Sequence, residues 1–170
     1  MHRRCLHFME SYRIRPATLN DIPQLIRLRL AYLREDFEAE LPTEKAAAVA
    51  AQLPNYFSAH IDKDCFPFVA EISDSTLVSC VILCTMEKPA NLSFPSGKTG
   101  TVLGVYTMPE YRGIGCASKL MSALLQKSQE LSLDIVKLSA SKMGLPIYQK
   151  LGFTVSHSHF TEMEYIVPRT

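Results

Sequence analysis

The chain has 170 residues, and 18 lysines and arginines nearly balance 17 aspartates and glutamates. A near-neutral chain is a poor candidate for binding the phosphate backbone of a nucleic acid, which requires a clear basic excess. The 47% of apolar and 21% of charged residues exclude general disorder and are typical of one globular domain.

The N-terminal part of the chain predicts one strand and one helix. Residues 1–10 are expected to be a loose extension of a domain that spans residues 11–170. Residues 12–15 alternate polar and apolar side chains, which is typical of a short strand. Thr18 and Asp21 then have the spacing of a capping box, and apolar residues recur after them at near-helical spacing. A helix is therefore expected to begin here.

A second helix and a hairpin are predicted next. The alanine-rich stretch 44–52 favours a helix, which Pro54 is expected to kink or end, and a continuation over 55–61 is left open. Residues 66–72 and 77–86 are rich in apolar and β-branched side chains and predict two strands. The polar residues between them, 73–76, favour a turn, so these strands are expected to pair antiparallel.

The C-terminal half alternates strands and helices. Strands are predicted over 99–108 and 134–140, with the most regular helix of the chain, 114–131, between them. A short helix over 145–151 and a last strand region over 152–167 complete the chain. A strand, a helix and a second strand in this order are typical of a parallel crossover. The sequence thus predicts an α/β domain with a mixed sheet and helices on its faces.

Cysteine and histidine spacing favours neither a metal site nor a disulfide framework. The five cysteines are scattered and form no C-x-x-C pair, and no third ligand lies near His157 and His159. No apolar run approaches the length of about 18 residues that a membrane span needs. We therefore expect a cytoplasmic protein with reduced thiols, no metal and no membrane contact.

Glycines mark the start of the long helix as a candidate anion site. Gly113 and Gly115 follow Arg112 at a helix N-terminus, where N–H groups lack intrahelical partners and small residues admit a phosphate. The loop is neither a Walker loop nor a complete G-x-G-x-x-G, because Ser118 stands in the place of the third glycine. A tight turn without a ligand is the alternative. Gly104 interrupts the preceding strand, as glycines at β-bulges do.

Two motifs resemble signatures of the GCN5-related N-acetyltransferase (GNAT) family. Arg112, Gly115 and Ala117 match its acetyl-CoA motif, [Gln/Arg]-x-x-Gly-x-[Gly/Ala]. The stretch 148–153 is similar to its second signature, a tyrosine followed by x-Lys-Leu-Gly-Phe. The motifs occur in the family's order, and the resemblance extends over residues 11–167.

The resemblance implies a single-domain fold with a splayed mixed sheet of about six to seven strands flanked by about four helices. It also implies that acetyl-CoA binds where the strands 99–108 and 134–140 diverge. The strand 99–108 would contact the pantetheine arm of acetyl-CoA, and the glycine loop would hold its pyrophosphate. The implied cofactor-binding residues are Val105, Tyr106, Thr107, Arg112, Gly113, Ile114, Gly115, Cys116, Ala117 and Ser141. Ser141 stands where many members of the family have an asparagine.

Tyr148 matches the general acid of the family. In the implied reaction a neutral amine attacks the thioester carbonyl, and a proton donor is needed for the leaving sulfur. An unperturbed tyrosine has a pKa of about 10 and so holds its proton at neutral pH. A buried aromatic without a catalytic role is the alternative. No acidic residue on the strand 99–108 matches the family's general base, and the base is left open among Glu35, Asp36, Glu71 and Glu110.

We therefore expect an N-acetyltransferase that transfers an acetyl group from acetyl-CoA to a primary amine of a small molecule or protein. The alternatives are a catalytically weak CoA-binding sensor or interaction subunit of the same fold, and a nucleotide-binding α/β domain that uses the same glycine loop. No nucleic-acid partner is expected, and a homodimer is left open because the family often forms one. The residues do not identify the acceptor.

Overall fold

The computed structural model describes residues 11–36, 43–157 and 160–168, so the predicted extension over residues 1–10 lies outside the described residues. The chain divides into two compact units, the first ending at Ser139 and the second beginning at Ala140. The strands are β1 (Arg13–Pro16), β2 (Cys65–Glu71), β3 (Leu77–Glu87), β4 (Lys98–Thr107) and β5 (Ile135–Lys137). The helices are α1 (Ile22–Asp36), α2 (Thr43–His60), α3 (Cys116–Glu130) and α4 (Leu145–Lys150). All of these except α4 belong to the first unit.

The five strands form one sheet in the order of the chain, and only its last pair is parallel. β1–β2, β2–β3 and β3–β4 are antiparallel, whereas β4 and β5 are parallel. This topology confirms the predicted α/β class, the mixed sheet and the antiparallel hairpin. It also confirms that the strand, helix and strand after residue 98 form a parallel unit.

The helices α1 and α2 cover one face of the sheet. Leu25 and Leu28 of α1, Phe57 of α2, and Cys80 and Ile82 of β3 belong to one buried cluster. Burying such an apolar side chain contributes about 1.5–3 kcal/mol to folding. This cluster fixes α1 against the middle of the sheet.

The helix α3 packs on the sheet through its own buried stripe. Leu120, Met121 and Leu124 are fully buried, and α3 contacts β2, β3 and β4. Val81 and Leu83 of β3 are buried too, although they alternate with the residues that face α1 and α2. β3 is therefore covered on both faces.

A buried carboxylate fixes the start of α1. Asp21 accepts the backbone N–H of Thr18 at 2.7 Å and its hydroxyl at 3.0 Å, as the capping-box spacing predicts. Arg15 of β1 donates to both carboxylate oxygens of Asp21, at 2.7 and 2.9 Å. The hydrogen bond from Arg15 lowers the pKa of Asp21 to about 2, although burial opposes this shift. The pair ties β1 to the turn that leads into α1.

Two helices differ from their predicted bounds. α2 is longer than the stretch 44–52, because it passes through Pro54 and continues to His60, which is the continuation that the sequence left open. The Ser58 hydroxyl donates to the Pro54 carbonyl at 2.7 Å, within the turn that follows the proline. α3 begins at Cys116 instead of residue 114, because Gly115 before it has a left-handed φ of 89°.

The predicted last strand region, 152–167, is wrong for the residues that the structure describes there, since 151–157 and 160–168 contain no strand. The described sheet thus has five strands instead of six to seven. Phe160, Met163 and Ile166 are 85%, 90% and 87% exposed. Apolar and β-branched composition does not make a strand without a neighbour to pair its backbone groups. Within the described ranges, no helix has the length and apolar character needed to cross a membrane.

Candidate functional site

β4 and β5 pair only near the start of β4. Thr99, Gly100 and Thr101 are the β4 residues that pair with β5, and β4 then continues to Thr107. In the described part of the chain no strand covers that edge of β4 beyond Thr101, whereas β3 follows the other edge as far as Thr107. The second half of β4 therefore leaves one backbone edge open, as the implied divergence of these strands requires.

A β-bulge lies within this second half. The pairing of β3 with β4 passes from Cys80–Tyr106 to Ile82–Leu103, which leaves one extra residue in β4. Gly104 lies in this interval and has a left-handed φ of 61°. A residue with a Cβ would be strained there, which explains the glycine. The bulge predicted at Gly104 is confirmed, and bulges of this kind bend a strand away from its neighbour.

The register directs backbone groups of β4 toward the open edge. Residues of an antiparallel pair alternately point their backbone groups toward and away from the neighbouring strand. Met108 donates its N–H to the Val78 carbonyl at 2.9 Å, so Thr107 points away from β3. The Thr107 carbonyl instead accepts Nε of Arg112 at 2.9 Å. The same alternation predicts an outward direction for the backbone of Val105.

The loop after β4 passes through two left-handed glycines. A 3-10 turn, Pro109–Tyr111, is followed by Gly113 with a φ of 81° and Gly115 with a φ of 89°. A Cβ at Gly113 would meet no atom within 4 Å, so that glycine serves the backbone conformation and leaves open space beside it. The Tyr12 hydroxyl donates to the Ile114 carbonyl at 3.0 Å and holds the loop to the N-terminal segment.

The start of α3 has no side-chain cap. Gly115 occupies the capping position and has no side chain, so the N–H groups of residues 116–118 lack an intrahelical acceptor. Lys119 follows them, and its ammonium lies 4.6 Å from the centre of the Tyr12 ring. Uncapped N–H groups, the helix dipole and a nearby ammonium together favour an anion at this point.

An ion pair joins the loop to α1. Arg112 Nη2 lies 2.6 Å from one carboxylate oxygen of Glu35, and the Tyr106 hydroxyl donates to the other at 2.9 Å. The guanidinium also lies 5.7 Å from the centre of the Tyr106 ring. Burial alone would raise the pKa of Glu35, but the hydrogen bonds from Arg112 and Tyr106 outweigh it and lower that pKa. The Glu35 side chain is therefore ionised and pairs with the Arg112 guanidinium.

The Cys116 side chain does not contribute a nucleophile to this loop. The residue is only 2% exposed, and burial raises the pKa of its thiol. The thiol therefore stays protonated at neutral pH, and the backbone N–H is the group that Cys116 presents at the helix start. The implied role of Cys116 as a backbone ligand of the cosubstrate stays a prediction.

The second unit holds Ser141 and Tyr148. The Ser141 hydroxyl accepts the N–H of Gly144 at 3.1 Å in the turn before α4. Tyr148 is 7% exposed, and its ring is 6.1 Å from that of Phe153 in an edge-to-face arrangement. Gly152 has a φ of 92° and lets the chain turn back after α4, so that Phe153 donates its N–H to the Tyr148 carbonyl at 3.0 Å. The Lys-Leu-Gly-Phe motif thus forms the turn that brings Phe153 into contact with Tyr148.

The first unit brings most of the candidate residues together. The end of β4, the loop and the first turn of α3 carry Val105, Tyr106, Thr107, Arg112, Gly113, Ile114, Gly115, Cys116 and Ala117. Ser141 and Tyr148 belong to the second unit. The contact of Glu35 with Arg112 and Tyr106 was not predicted from the sequence. A signal was present, because Glu35 follows the buried Leu28 by two helical turns and so lies on the same face of α1.

Two other features of the structure do not belong to this site. A cavity of about 220 Å³ lies between β2 and α3, where Phe66, Phe68 and Lys127 contribute to its lining, and it includes none of the candidate residues. Among the residues that the structure describes, no group of three or more histidine, cysteine or acidic side chains is placed to hold a metal ion. His159 lies outside the described residues.

Comparison with known proteins agrees with this geometry. A model of the acetyltransferase (GNAT) family matches residues 24–153, which is more than half of the chain and includes β4, the glycine loop, α3 and Tyr148. No curated protein matches the chain in sequence.

Solved structures share the fold along almost the whole chain. A GCN5-related N-acetyltransferase from Ralstonia eutropha is 25% identical, with a TM-score of 0.77 over 92% of this chain and 99% of that one. A predicted acetyltransferase from Clostridium acetobutylicum, solved with acetyl-CoA, is 24% identical, with a TM-score of 0.77 over 91% and 96%. Glucosamine-6-phosphate N-acetyltransferase from Arabidopsis thaliana is 18% identical, with a TM-score of 0.64 over 91% and 99%. The family match and the shared fold show that the chain belongs to the acetyltransferase (GNAT) family.

Proposed function

We propose that this protein is an N-acetyltransferase that transfers the acetyl group of acetyl-CoA to a primary amine. One observation carries the proposal. The bulged second half of β4 leads, with one edge open, through two left-handed glycines into an uncapped helix start. Membership of the family supports acetyl transfer in general, and the similar protein from Clostridium acetobutylicum was solved with acetyl-CoA.

The cosubstrate is proposed to bind along this path. Backbone groups of Val105 and Thr107 would pair with its pantetheine amides, because the register turns them away from β3. The N–H groups from Gly113 to Ala117 would receive the pyrophosphate, with the open space at Gly113 admitting it closely. Ser141 is proposed to line the pantetheine arm.

Tyr148 is proposed as the general acid. Acetyl-CoA supplies an activated thioester, and the neutral acceptor amine attacks its carbonyl carbon. The carbon–sulfur bond then breaks, and the Tyr148 hydroxyl donates its proton to the leaving sulfur. Burial of the ring and its packing against Phe153 support a fixed position for that hydroxyl.

Glu35 is not proposed as the general base. Its carboxylate accepts hydrogen bonds from Arg112 and Tyr106, and these lower its pKa and so weaken it as a base. β4 carries no acidic residue. We propose instead that the acceptor loses its proton to water before it attacks.

The absence of a carboxylate from β4 also favours the second candidate function. A protein that binds acetyl-CoA without rapid transfer would act as a sensor or as an interaction subunit. The two candidates predict the same cosubstrate affinity and differ only in turnover.

Amine-dependent release of free CoA tests the proposal. The purified chain is incubated with acetyl-CoA and with an alkylamine, an amino acid, an amino sugar or a peptide N-terminus, and free thiol is measured against a blank without amine. We expect release with one of these classes, which would then name the acceptor. Binding of acetyl-CoA without release from any amine would contradict transfer and support the sensor.

We further propose a cytoplasmic protein with a small-molecule or peptide acceptor. The scattered cysteines support a reducing compartment, since the described ones are all free thiols. The near-neutral charge supports a partner other than nucleic acid. A homodimer is a further expectation that size-exclusion chromatography with light scattering would test.

A further inference from the structure

Two cysteines on neighbouring strands face each other beside α2. Cys65 of β2 and Cys84 of β3 are partners in the antiparallel ladder. Asp64 and Thr85 are the next pair along the ladder. They form a hydrogen-bonded pair, because Thr85 donates its N–H to the Asp64 carbonyl at 2.8 Å. Because the two kinds of pair alternate, Cys65 and Cys84 form a non-hydrogen-bonded pair. The Cys65 carbonyl instead accepts the N–H of Asp62 at 3.1 Å.

This pairing gives the two thiols the spacing of a disulfide. Cα atoms of a non-hydrogen-bonded pair lie about 4.5 Å apart, and their side chains converge on one face. Disulfides span Cα distances of about 4.4–6.8 Å. Both side chains lie in the same apolar cluster, with Cys84 packed against the buried residues that include Cys65. The register therefore places the two cysteines at a spacing that a disulfide spans.

The two thiols differ in accessibility and in charge. Cys65 is completely buried, whereas Cys84 is partly exposed and lies 3.4 Å from the Tyr56 hydroxyl. The hydrogen bond from Cys65, joined by the one from Tyr56, lowers the pKa of Cys84. The same hydrogen bond, together with burial, raises the pKa of Cys65. Cys84 is thus the accessible thiolate and Cys65 the protonated partner behind it.

We propose that Cys84 and Cys65 form a peroxide-reactive thiol pair, in which Cys84 is the attacking sulfur and Cys65 the resolving one. The Cys84 thiolate attacks one oxygen of hydrogen peroxide, the O–O bond breaks, and the other oxygen leaves as water after taking a proton. Cys84 is then a sulfenic acid. The Cys65 sulfur attacks the Cys84 sulfur, the S–O bond breaks, and a second water carries away the proton of Cys65. Two thiols and one peroxide give one disulfide and two waters.

Two other cysteines serve as internal controls. Cys80 is 1% and Cys116 is 2% exposed, and burial raises the pKa of both thiols. The ladder partners of Cys80 are Val69 and Tyr106, so it does not face a second thiol there. We expect both cysteines to stay reduced when the pair reacts.

Peptide mapping after peroxide treatment tests the proposal. The full chain is reduced, treated with hydrogen peroxide, alkylated at its remaining thiols and cleaved after glutamate. Cleavage after Glu71 separates the peptide of Cys65 from the peptide that carries both Cys80 and Cys84. We expect a link between these peptides that dithiothreitol removes and that forms at least about tenfold faster than Cys116 is oxidised.

Cysteine-to-alanine variants test which sulfur attacks the peroxide and which one resolves the sulfenic acid. In Cys80→Ala the link should form unchanged, and in Cys84→Ala it should be lost. In Cys65→Ala the reaction should stop at a sulfenic acid on Cys84 that dimedone traps, and circular dichroism checks that each variant is folded. A link that needs Cys80, or oxidation of Cys84 no faster than that of Cys116, would overturn the proposal. The readout does not involve acetyl transfer, so its outcome is independent of the proposed function.

Discussion

The two units of the chain hold their candidate residues by different kinds of contact. In the first unit the contacts join segments that are distant in sequence: Glu35 of α1 binds Arg112, and Tyr12 binds the carbonyl of Ile114. In the second unit two contacts of Tyr148 join it to a near neighbour in the chain: its carbonyl accepts the N–H of Phe153, and its ring packs against the Phe153 ring through the turn at Gly152.

Because of this difference, we expect mutations to change cosubstrate affinity and turnover separately. Most of the residues proposed to bind acetyl-CoA lie on β4, its loop and the start of α3, whereas the proposed general acid lies on the short helix α4. Changes in the first unit are therefore expected to alter affinity. Changes around Tyr148 are expected to alter turnover while affinity is kept.

The largest expected effect is that of Tyr148→Phe. Loss of a general acid lowers turnover by about 100-fold or more, and the affinity for acetyl-CoA should stay within about twofold because the ring remains. Thiol release gives the turnover, and calorimetry gives the affinity. Tyr165→Phe is the matched control in the same unit, since Tyr165 is 82% exposed. Turnover of Tyr148→Phe equal to that of the unmodified chain would remove the proposed acid.

Acid should weaken the first unit through Asp21. Its pKa is lowered from an ordinary value of 3.8 to about 2 in the folded chain, chiefly by the hydrogen bond from Arg15. The stabilisation is therefore present above about pH 4 and is lost as the pH falls toward 2, at a cost of about 2 kcal/mol. Urea unfolding at a series of pH values measures this loss.

Asp21→Asn should make that pH dependence less steep, whereas Asp62→Asn at an exposed position should leave it unchanged. Glu71 also accepts a hydrogen bond from Arg15, and its pKa is lowered by Arg15 and Arg13, so part of the acid effect should remain in Asp21→Asn. An equally steep pH dependence in Asp21→Asn would show that this carboxylate is not the cause.

A matched pair of glycines sharpens the comparison between the units. Gly113 and Gly152 both have left-handed φ angles, of 81° and 92°, and a Cβ at either would meet no atom within 4 Å. Each alanine substitution should therefore cost about 1–2 kcal/mol of backbone strain without a clash. We expect Gly113→Ala to lower acetyl-CoA affinity by about tenfold, and Gly152→Ala to lower turnover with affinity unchanged. The reverse pattern would contradict the division between the units.

The smallest expected effect is that of Glu35→Gln. The Glu35 and Arg112 side chains are 45% and 39% exposed, so their ion pair contributes little to folding. Removing one negative charge near the loop and releasing the guanidinium should tighten acetyl-CoA binding by about twofold. Calorimetry against Asp36→Asn as the control measures this change. Weaker binding would show that Glu35 holds Arg112 in the orientation that the cosubstrate needs.

The sequence predicted what depends on local chemistry. Gly104 indicated the bulge because a glycine inside a β-rich strand is typical of a bulge, and its φ of 61° agrees with this. Gly113 and Gly115 indicated the loop before α3 because small residues at a helix start are typical of an anion-binding turn, and Thr18 with Asp21 indicated the start of α1.

What the sequence did not predict depends on tertiary contacts. The last strand region has strand composition, but whether a strand forms depends on a pairing partner that composition does not encode. The contact of Glu35 with Arg112 and Tyr106 depends on how α1 lies across β4. The opposition of Cys65 and Cys84 depends on the register of β2 and β3, which a one-residue slip would abolish.

Thermal unfolding with and without ligand tests the central claim most directly. A ligand that binds only the folded chain raises its melting temperature. We expect a clear rise with acetyl-CoA and with CoA, and none with ATP or NAD at the same millimolar concentration. A rise with ATP or NAD and none with acetyl-CoA would contradict the acetyltransferase account and would support a nucleotide-binding loop.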